Sequence, residues 1–278
     1  MKLKTLSQIV CAGITAIGFC AADAHEIWLE QPEGGNAILR FGEFGGNLRE
    51  ASPGLLDNFG APTATLFAKG KTETLALTKT ATGFGAPVRL APGESLTAED
   101  ARFPIRVSTR EGRADDGAQP GGREGRPGGT GPQQGREGRS GGGAGPRENR
   151  NWYRPAARLI TDFAALPPEL ALDIVPTGKP GVFKVMFWGK PLPKASVGIA
   201  VQSGWNKTAR TDDNGQVSFD LPWQGQYVLS VSHADRTPGE RDGERYDGIN
   251  YATTLTLVQP NGIAPFPAVP AAKPNPGK

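Results

Sequence analysis

Six short segments in the last third of the chain set the limits on what it can fold into: "LALDIVP", "GVFKVMFWG", "ASVGIAVQ", "GQVSFDLP", "GQYVLSVSH" and "YATTLTLVQ". Each is rich in branched and aromatic residues, several alternate apolar with polar, and none sustains the 3.6-residue period of a helix. Period-two alternation sends successive side chains to opposite faces, so each segment predicts a half-buried strand. Turn residues separate them, most clearly "TDDNG" at Thr211–Gly215, where Asn214-Gly215 suits the positive φ angles of a tight hairpin. Six or seven antiparallel strands in about 90 residues predict an immunoglobulin-like sandwich over residues 151–258. Its expected core is Val182, Phe183, Val185, Phe187, Val197, Ile199, Val217, Phe219, Val228 and Leu229, divided between two sheets.

Residues 25–110 read as a second β part, with "AILRFGE", "ATLFA", "TLALT", "PVRLA" and "PIRVS" as strands between Gly, Pro and Asn clusters. The predicted fold class is therefore all-β, with two sandwich-like parts. Between them the composition changes abruptly. Residues 111–150 hold 14 Gly, 7 Arg and 6 acidic residues among 40, with no aromatic or branched aliphatic residue. Such a segment cannot bury enough apolar surface to offset its ordering entropy, which predicts a disordered insertion. Its "GGREGRPGG" and "GREGRSGGG" are similar to RNA-binding arginine-glycine tracts. Acidic residues nearly cancel the arginines, however, and no aromatic ring is available to stack on a base, so no nucleic acid partner is expected. Residues 259–278 are proline-spaced and predict an extended tail.

The first 24 residues read as a secretion signal. Lys2 and Lys4 precede an apolar run from Ile9 to Phe19, and Ala22-Asp23-Ala24 places small residues where a signal peptidase cuts. The run is too short to span a bilayer, so no membrane insertion is expected. Cys20 follows Phe19, whereas a lipoprotein site wants a small residue there. Cleavage after Ala24 predicts a periplasmic location and makes His25 the first residue. It also removes both cysteines, Cys11 and Cys20, leaving neither thiol ligand nor disulfide. The remaining 29 basic and 27 acidic residues are close to balance, and that total demands no polyanionic partner.

A chain beginning at His25 offers an α-amine and an imidazole from one residue, a bidentate chelate. His233 is the other histidine of the chain. If it completes the set, three nitrogens form the T-shaped histidine brace, which suits copper because Cu(II) favours tetragonal nitrogen sites and heads the divalent affinity order. Glu26, Asp235, Glu244, Tyr246 and Asp247 are candidates for a further oxygen ligand. Without metal, His25 is an exposed terminus and His233 a polar residue at a strand end. Catalytic alternatives are weaker. Ser232, His233 and Asp235 lie too close along one strand for a converging triad, and the glycine-rich tract adjoins no strand-to-helix turn that would cradle phosphate. A copper-dependent oxidative enzyme shares the brace, but no extended aromatic binding face is evident. A metal-free binding module is the other class, with Trp205 and Trp223 near loops as candidate ligand contacts, although tryptophan in a β protein more often packs.

The phrases "HEIWLEQP", "FGEFGGNLRE", "LALDIVP", "GKPLPKASVGIAV", "TDDNGQVSFDLPWQGQYVLSVSH" and "YATTLTL", in that order and spacing, resemble the bacterial exported family catalogued as domain of unknown function 4198. The likeness covers most of residues 25–258. It implies a two-part periplasmic β protein with histidines soon after the signal and near the end of the penultimate strand, here His25 and His233. Through the family's loose link to metal uptake, it also implies nickel or cobalt as the cargo. The expected function is periplasmic metal binding or delivery, with the metal ion as ligand and any membrane transporter a separate chain.

Overall fold

The computed structural model describes residues 25–110 and 147–276. The expected signal and residues 111–146 of the expected insertion lie outside the described residues, which hold twenty strands, one 3-10 turn at Leu55–Asn58 and no α-helix. In chain order the strands are β1 (Glu26–Glu30), β2 (Ile38–Glu43), β3 (Leu48–Arg49), β4 (Thr63–Ala68), β5 (Lys71–Ala76), β6 (Thr78–Thr80), β7 (Gly83–Gly85), β8 (Ser95–Glu99), β9 (Ile105–Arg110) and β10 (Arg147–Ile160). They continue as β11 (Leu172–Pro176), β12 (Val182–Phe187), β13 (Lys190–Pro191), β14 (Ser196–Ala200), β15 (Asn206–Arg210), β16 (Gln216–Ser218), β17 (Gly225–Asp235), β18 (Gly239–Arg241), β19 (Glu244–Tyr246) and β20 (Gly248–Gln259).

The fold is all-β, as predicted, and one sheet joins its two parts. Nine strands form that long sheet, in the order β15-β14-β17-β20-β10-β8-β4-β5, with β9 also on β10. A five-stranded sheet, β1-β2-β7-β6 with β3 on β2, and a four-stranded sheet, β11-β12-β13 with β16 on β12, complete the layers. β17 shows how they stack. Tyr227, Leu229 and Val231 enter a core with Phe183, Val185 and Ile174 of the four-stranded sheet, whereas Val228 packs on Trp28 of β1 and on Phe44 in the turn after β2. A strand covered on both faces reads as a continuous apolar run rather than an alternation, as "YVLSV" does. A second large core gathers Leu29, Phe41, Phe59, Phe84 and Phe103 between the five-stranded sheet and the other half of the long one.

Several expectations change. The sandwich is not wholly antiparallel, because β10 runs parallel to β20 from Asn151↔Gly248 to Leu159↔Thr256. Residues 147–150, expected in the insertion, are strand, with Arg147 opposite Arg110. "PVRLA" forms no strand. Its Val88 carbonyl instead accepts from the Ala37 N–H. "TDDNG" joins β15 in the long sheet to β16 in the four-stranded one, so it is a crossover between layers and not a hairpin. There only Gly215 takes a positive φ, +72°, and the Asp212 carboxylate accepts the Asn214 and Gln216 N–H groups. Of the predicted core, Val182 and Phe187 are only partly buried, and Val228 belongs to the opposite face.

The tail is extended but docked. The Val269 N–H donates to the Gln202 carbonyl, the Asn47 side chain donates to the Val269 carbonyl, and Ala272 bridges Leu48 of β3 in parallel. The tail is thereby carried to the first described residue, where Asn275 reaches His25 and Glu50.

A polar cleft beside His25

His25 leads into β1, which holds it at the edge of the five-stranded sheet against the Phe41 ring, with centroids 5.3 Å apart. Its Nε2 lies 2.6 Å from Oε1 of Glu50, a fully buried side chain. Burial alone would raise the Glu50 pKa, but hydrogen bonds from His25 and from the Asn275 side chain and backbone hold it below the ordinary glutamate range. An ionised carboxylate only accepts hydrogen bonds, so Nε2 carries the proton and a neutral ring leaves its lone pair on Nδ1. Nδ1 faces Oε1 of Glu43 at 3.9 Å. Tyr153 donates from its hydroxyl to the His25 carbonyl at 3.4 Å.

The neighbouring Glu26 is partly buried, and its pKa is raised to about 7. Burial is the main cause and the Glu43 carboxylate adds to it, against hydrogen bonds from the Phe44 backbone and the Ser230 hydroxyl.

His233 stands elsewhere. It lies on β17 two residues beyond Val231, and so on the face of the long sheet that the four-stranded sheet covers; its ring packs on Phe187 at 4.4 Å. His25 lies over the other face, where Thr254 of β20 donates to the carbonyl of Ile27. The sheet separates the two imidazoles, and the brace with His233 as third nitrogen does not form in this geometry. The other candidate oxygen ligands are also placed away from His25. Glu244 pairs with Arg150, Asp247 accepts the Arg150 N–H, Asp235 accepts the Thr237 N–H, and Tyr246 packs on Trp152. Only Glu26 adjoins it. Trp205 and Trp223 pack against the second core, and the exposed tryptophan is Trp188.

Glu43, Glu50, Tyr153 and Asn275 were not among the expected site residues. Both glutamates fall in "FGEFGGNLRE", whose family likeness was the one available signal; Asn275 and Tyr153 had none. Among the described residues no group of three His, Cys, Asp or Glu side chains is arranged to hold an ion unaided. A metal at His25 therefore needs the α-amine that cleavage would expose. With it, the amine, Nδ1 and Glu43 make a fitting donor set, since two metal–ligand bonds of about 2 Å each can span the gap from Nδ1 to Glu43.

His25 and Glu26 stand at one end of a cleft of about 880 Å³. Its floor is the face of the long sheet left open by the five-stranded sheet, and Tyr153 and Arg106 line it farther out.

Fold and site together define an all-β sandwich protein with a polar cleft at one end of a shared sheet. The family model described as Domain of unknown function (DUF4198) matches residues 161–235, within the stretch over which the sequence phrases carry that resemblance. The match takes in the four-stranded sheet and β14 to β17. No curated protein and no solved structure matches the chain.

Proposed function

We propose that the protein is exported to the periplasm, is cleaved before His25, and binds a transition-metal ion there for delivery to a separate membrane transporter. One observation carries this reading. The buried Glu50 carboxylate holds His25 Nε2 at 2.6 Å, which orients the ring and leaves Nδ1 free beside Glu43. A carboxylate on the far nitrogen of a metal-binding imidazole is a recurrent way of setting tautomer and basicity. Glu43 takes the place that the sequence suggested for His233. The donors are two nitrogens and an oxygen, which suits copper first and nickel or cobalt second.

The test is a competitive Cu(II) titration of four proteins. The native terminus should bind tightly. One extra residue before His25 should cost at least a hundredfold, because an amide replaces the amine. Glu43→Gln should weaken binding at least about tenfold, since it removes a direct oxygen donor and even a supporting carboxylate is worth that much, and His233→Ala should leave it unchanged. Equal affinity in the native and extended proteins would end the metal reading. A second reading, a binding module without metal, is favoured by the cleft itself, which is far larger than an ion needs.

A further inference from the structure

The face of the long sheet changes chemistry where its cover ends. On β17 and β14, Val228 and Ala200 lie under Trp28 and Phe44. Two residues farther along the same face come Ser230 and Gly198, paired across the strands, and then Ser232 and Ser196. The pairing Ser230↔Thr254 on β20 and Gly198↔Thr208 on β15 extends one row of small and hydroxyl-bearing residues across four strands, at the roughly 4.8 Å spacing of a sheet. Farther out, Asn250 stands between Ala234 and Tyr153, and Asn151 stands opposite Arg106. From Ser230 and Gly198 outward these residues line the same cleft of about 880 Å³, a size that suits a small organic molecule.

Thr254 and Ser230 already donate to the Ile27 carbonyl and the Glu26 carboxylate, so the open part of the floor is Ser196, Thr208, Ser232, Asn151 and Asn250, whose hydroxyls and amides offer an apolar ligand little to bury. It offers a polyol many hydrogen bonds at close spacing, with glycine and alanine leaving room for the molecule to lie flat. The cleft also has charge at its wall. Arg106 and Arg236 both line it and are exposed. Neither makes an ion pair among the described residues, unlike Arg40, Arg49, Arg150, Arg154 and Arg158. The Arg106 guanidinium lies over the rings of Phe103 and Tyr153, 5.5 and 5.3 Å from their centroids, which restrains it while leaving its donors free for an anion.

The geometry points to a binding site for a small polyhydroxylated anion, a sugar acid or sugar phosphate, with its hydroxyls on the Ser/Thr/Asn floor and its charge on Arg106 and Arg236. This site stands independently of the metal reading. It is therefore tested on the full chain carrying one extra residue before His25, with EDTA present, so that metal chelation plays no part and either idea can fail alone.

Calorimetric titrations with D-gluconate, glucose 6-phosphate and the neutral D-glucitol supply the measurement. One or both anions should bind at least tenfold more tightly than glucitol, and more weakly as salt is added. Arg106→Gln combined with Arg236→Gln should lower anion affinity at least tenfold with an unchanged thermal midpoint, since both side chains are exposed. Ser232→Val, also on an exposed side chain, should weaken all binding severalfold. No heat from either anion at 10 mM, glucitol binding as tightly as the anions, or undiminished anion binding in the arginine variant would each overturn the proposal.

Discussion

Glu30 is buried among Arg40, Arg49 and the Trp28 indole, with Nε of Arg40 at 2.7 Å, Nη2 of Arg49 at 3.2 Å and Nε1 of Trp28 at 3.2 Å. Burial alone would raise its pKa, but the two guanidiniums hold it below the ordinary glutamate range. A carboxyl whose folded pKa is depressed contributes stability that is present above its unfolded pKa and lost as pH falls through the lower folded value. Glu30→Gln removes that contribution and leaves two arginines without their counter-charge. It should destabilise by about 2–3 kcal/mol at neutral pH, less than the ~3–5 kcal/mol of a fully buried pair because the arginines keep access to water. The thermal midpoint, followed from pH 7 to pH 3, should fall less steeply in the variant than in the parent; parallel curves would show that Glu30 does not carry the acid sensitivity. No local pattern marks this cluster, because Glu30, Arg40 and Arg49 are brought together only by the pairing of β1, β2 and β3.

Among the elements, β10 is the longest of several strands that the period-two pattern does not mark. "RENRNWYRPAARLI" carries Pro155 and four arginines, features that argue against a central strand. The structure accommodates both. Pro155 falls in the interval between β9, which pairs as far as Trp152, and β8, which begins at Ala156. Arg158 is buried in a two-pronged pair with Asp173 of β11, through Nε to Oδ1 at 3.0 Å and Nη2 to Oδ2 at 2.5 Å. Asp173 also accepts the N–H groups of Glu169 and Leu170, so the pair fastens the segment before β11 to the long sheet. Arg158→Met should cost about 3–5 kcal/mol by stranding a buried carboxylate. Adding Asp173→Leu should recover only part, since the two backbone donors then lose their acceptor. A urea titration of the parent and both variants measures this; a double variant as stable as the parent would mean that the N–H groups find other partners.

Across the whole molecule, two cores share one sheet, and the first described residue and the tail meet at Glu50. The expected insertion leaves from β9 and returns on β10, whose end residues Arg110 and Arg147 face each other. Paired strand ends can be closed by a two-residue turn such as Asn-Gly. Replacing residues 111–146 by Asn-Gly should therefore leave the thermal midpoint within a few degrees, because the cost of loop closure rises only slowly with length. Loss of the cooperative transition would show that the segment contributes to folding. The deletion must stop at residue 146, since removing 147–150 as well would cut the strand that supports Asn151 and Tyr153 in the cleft.

Local pattern in the sequence is enough for the fold class, about half of the strands and much of the second core. Phe183, Val185, Val197, Ile199, Val217, Phe219 and Leu229 are all buried there. Period-two patterning is a local property, and burial of the apolar face follows from it. Tertiary structure decided what local pattern cannot encode: which sheet each strand joins, and hence which side chains meet. His25 and His233 looked like partners because they are the chain's two histidines, yet a sheet one strand thick places them on opposite faces. His25 instead meets Glu43, Glu50 and Asn275, and the last two are 225 residues apart in sequence. Long-range pairing of this kind is set by sheet order and register, and neither is written in any one segment.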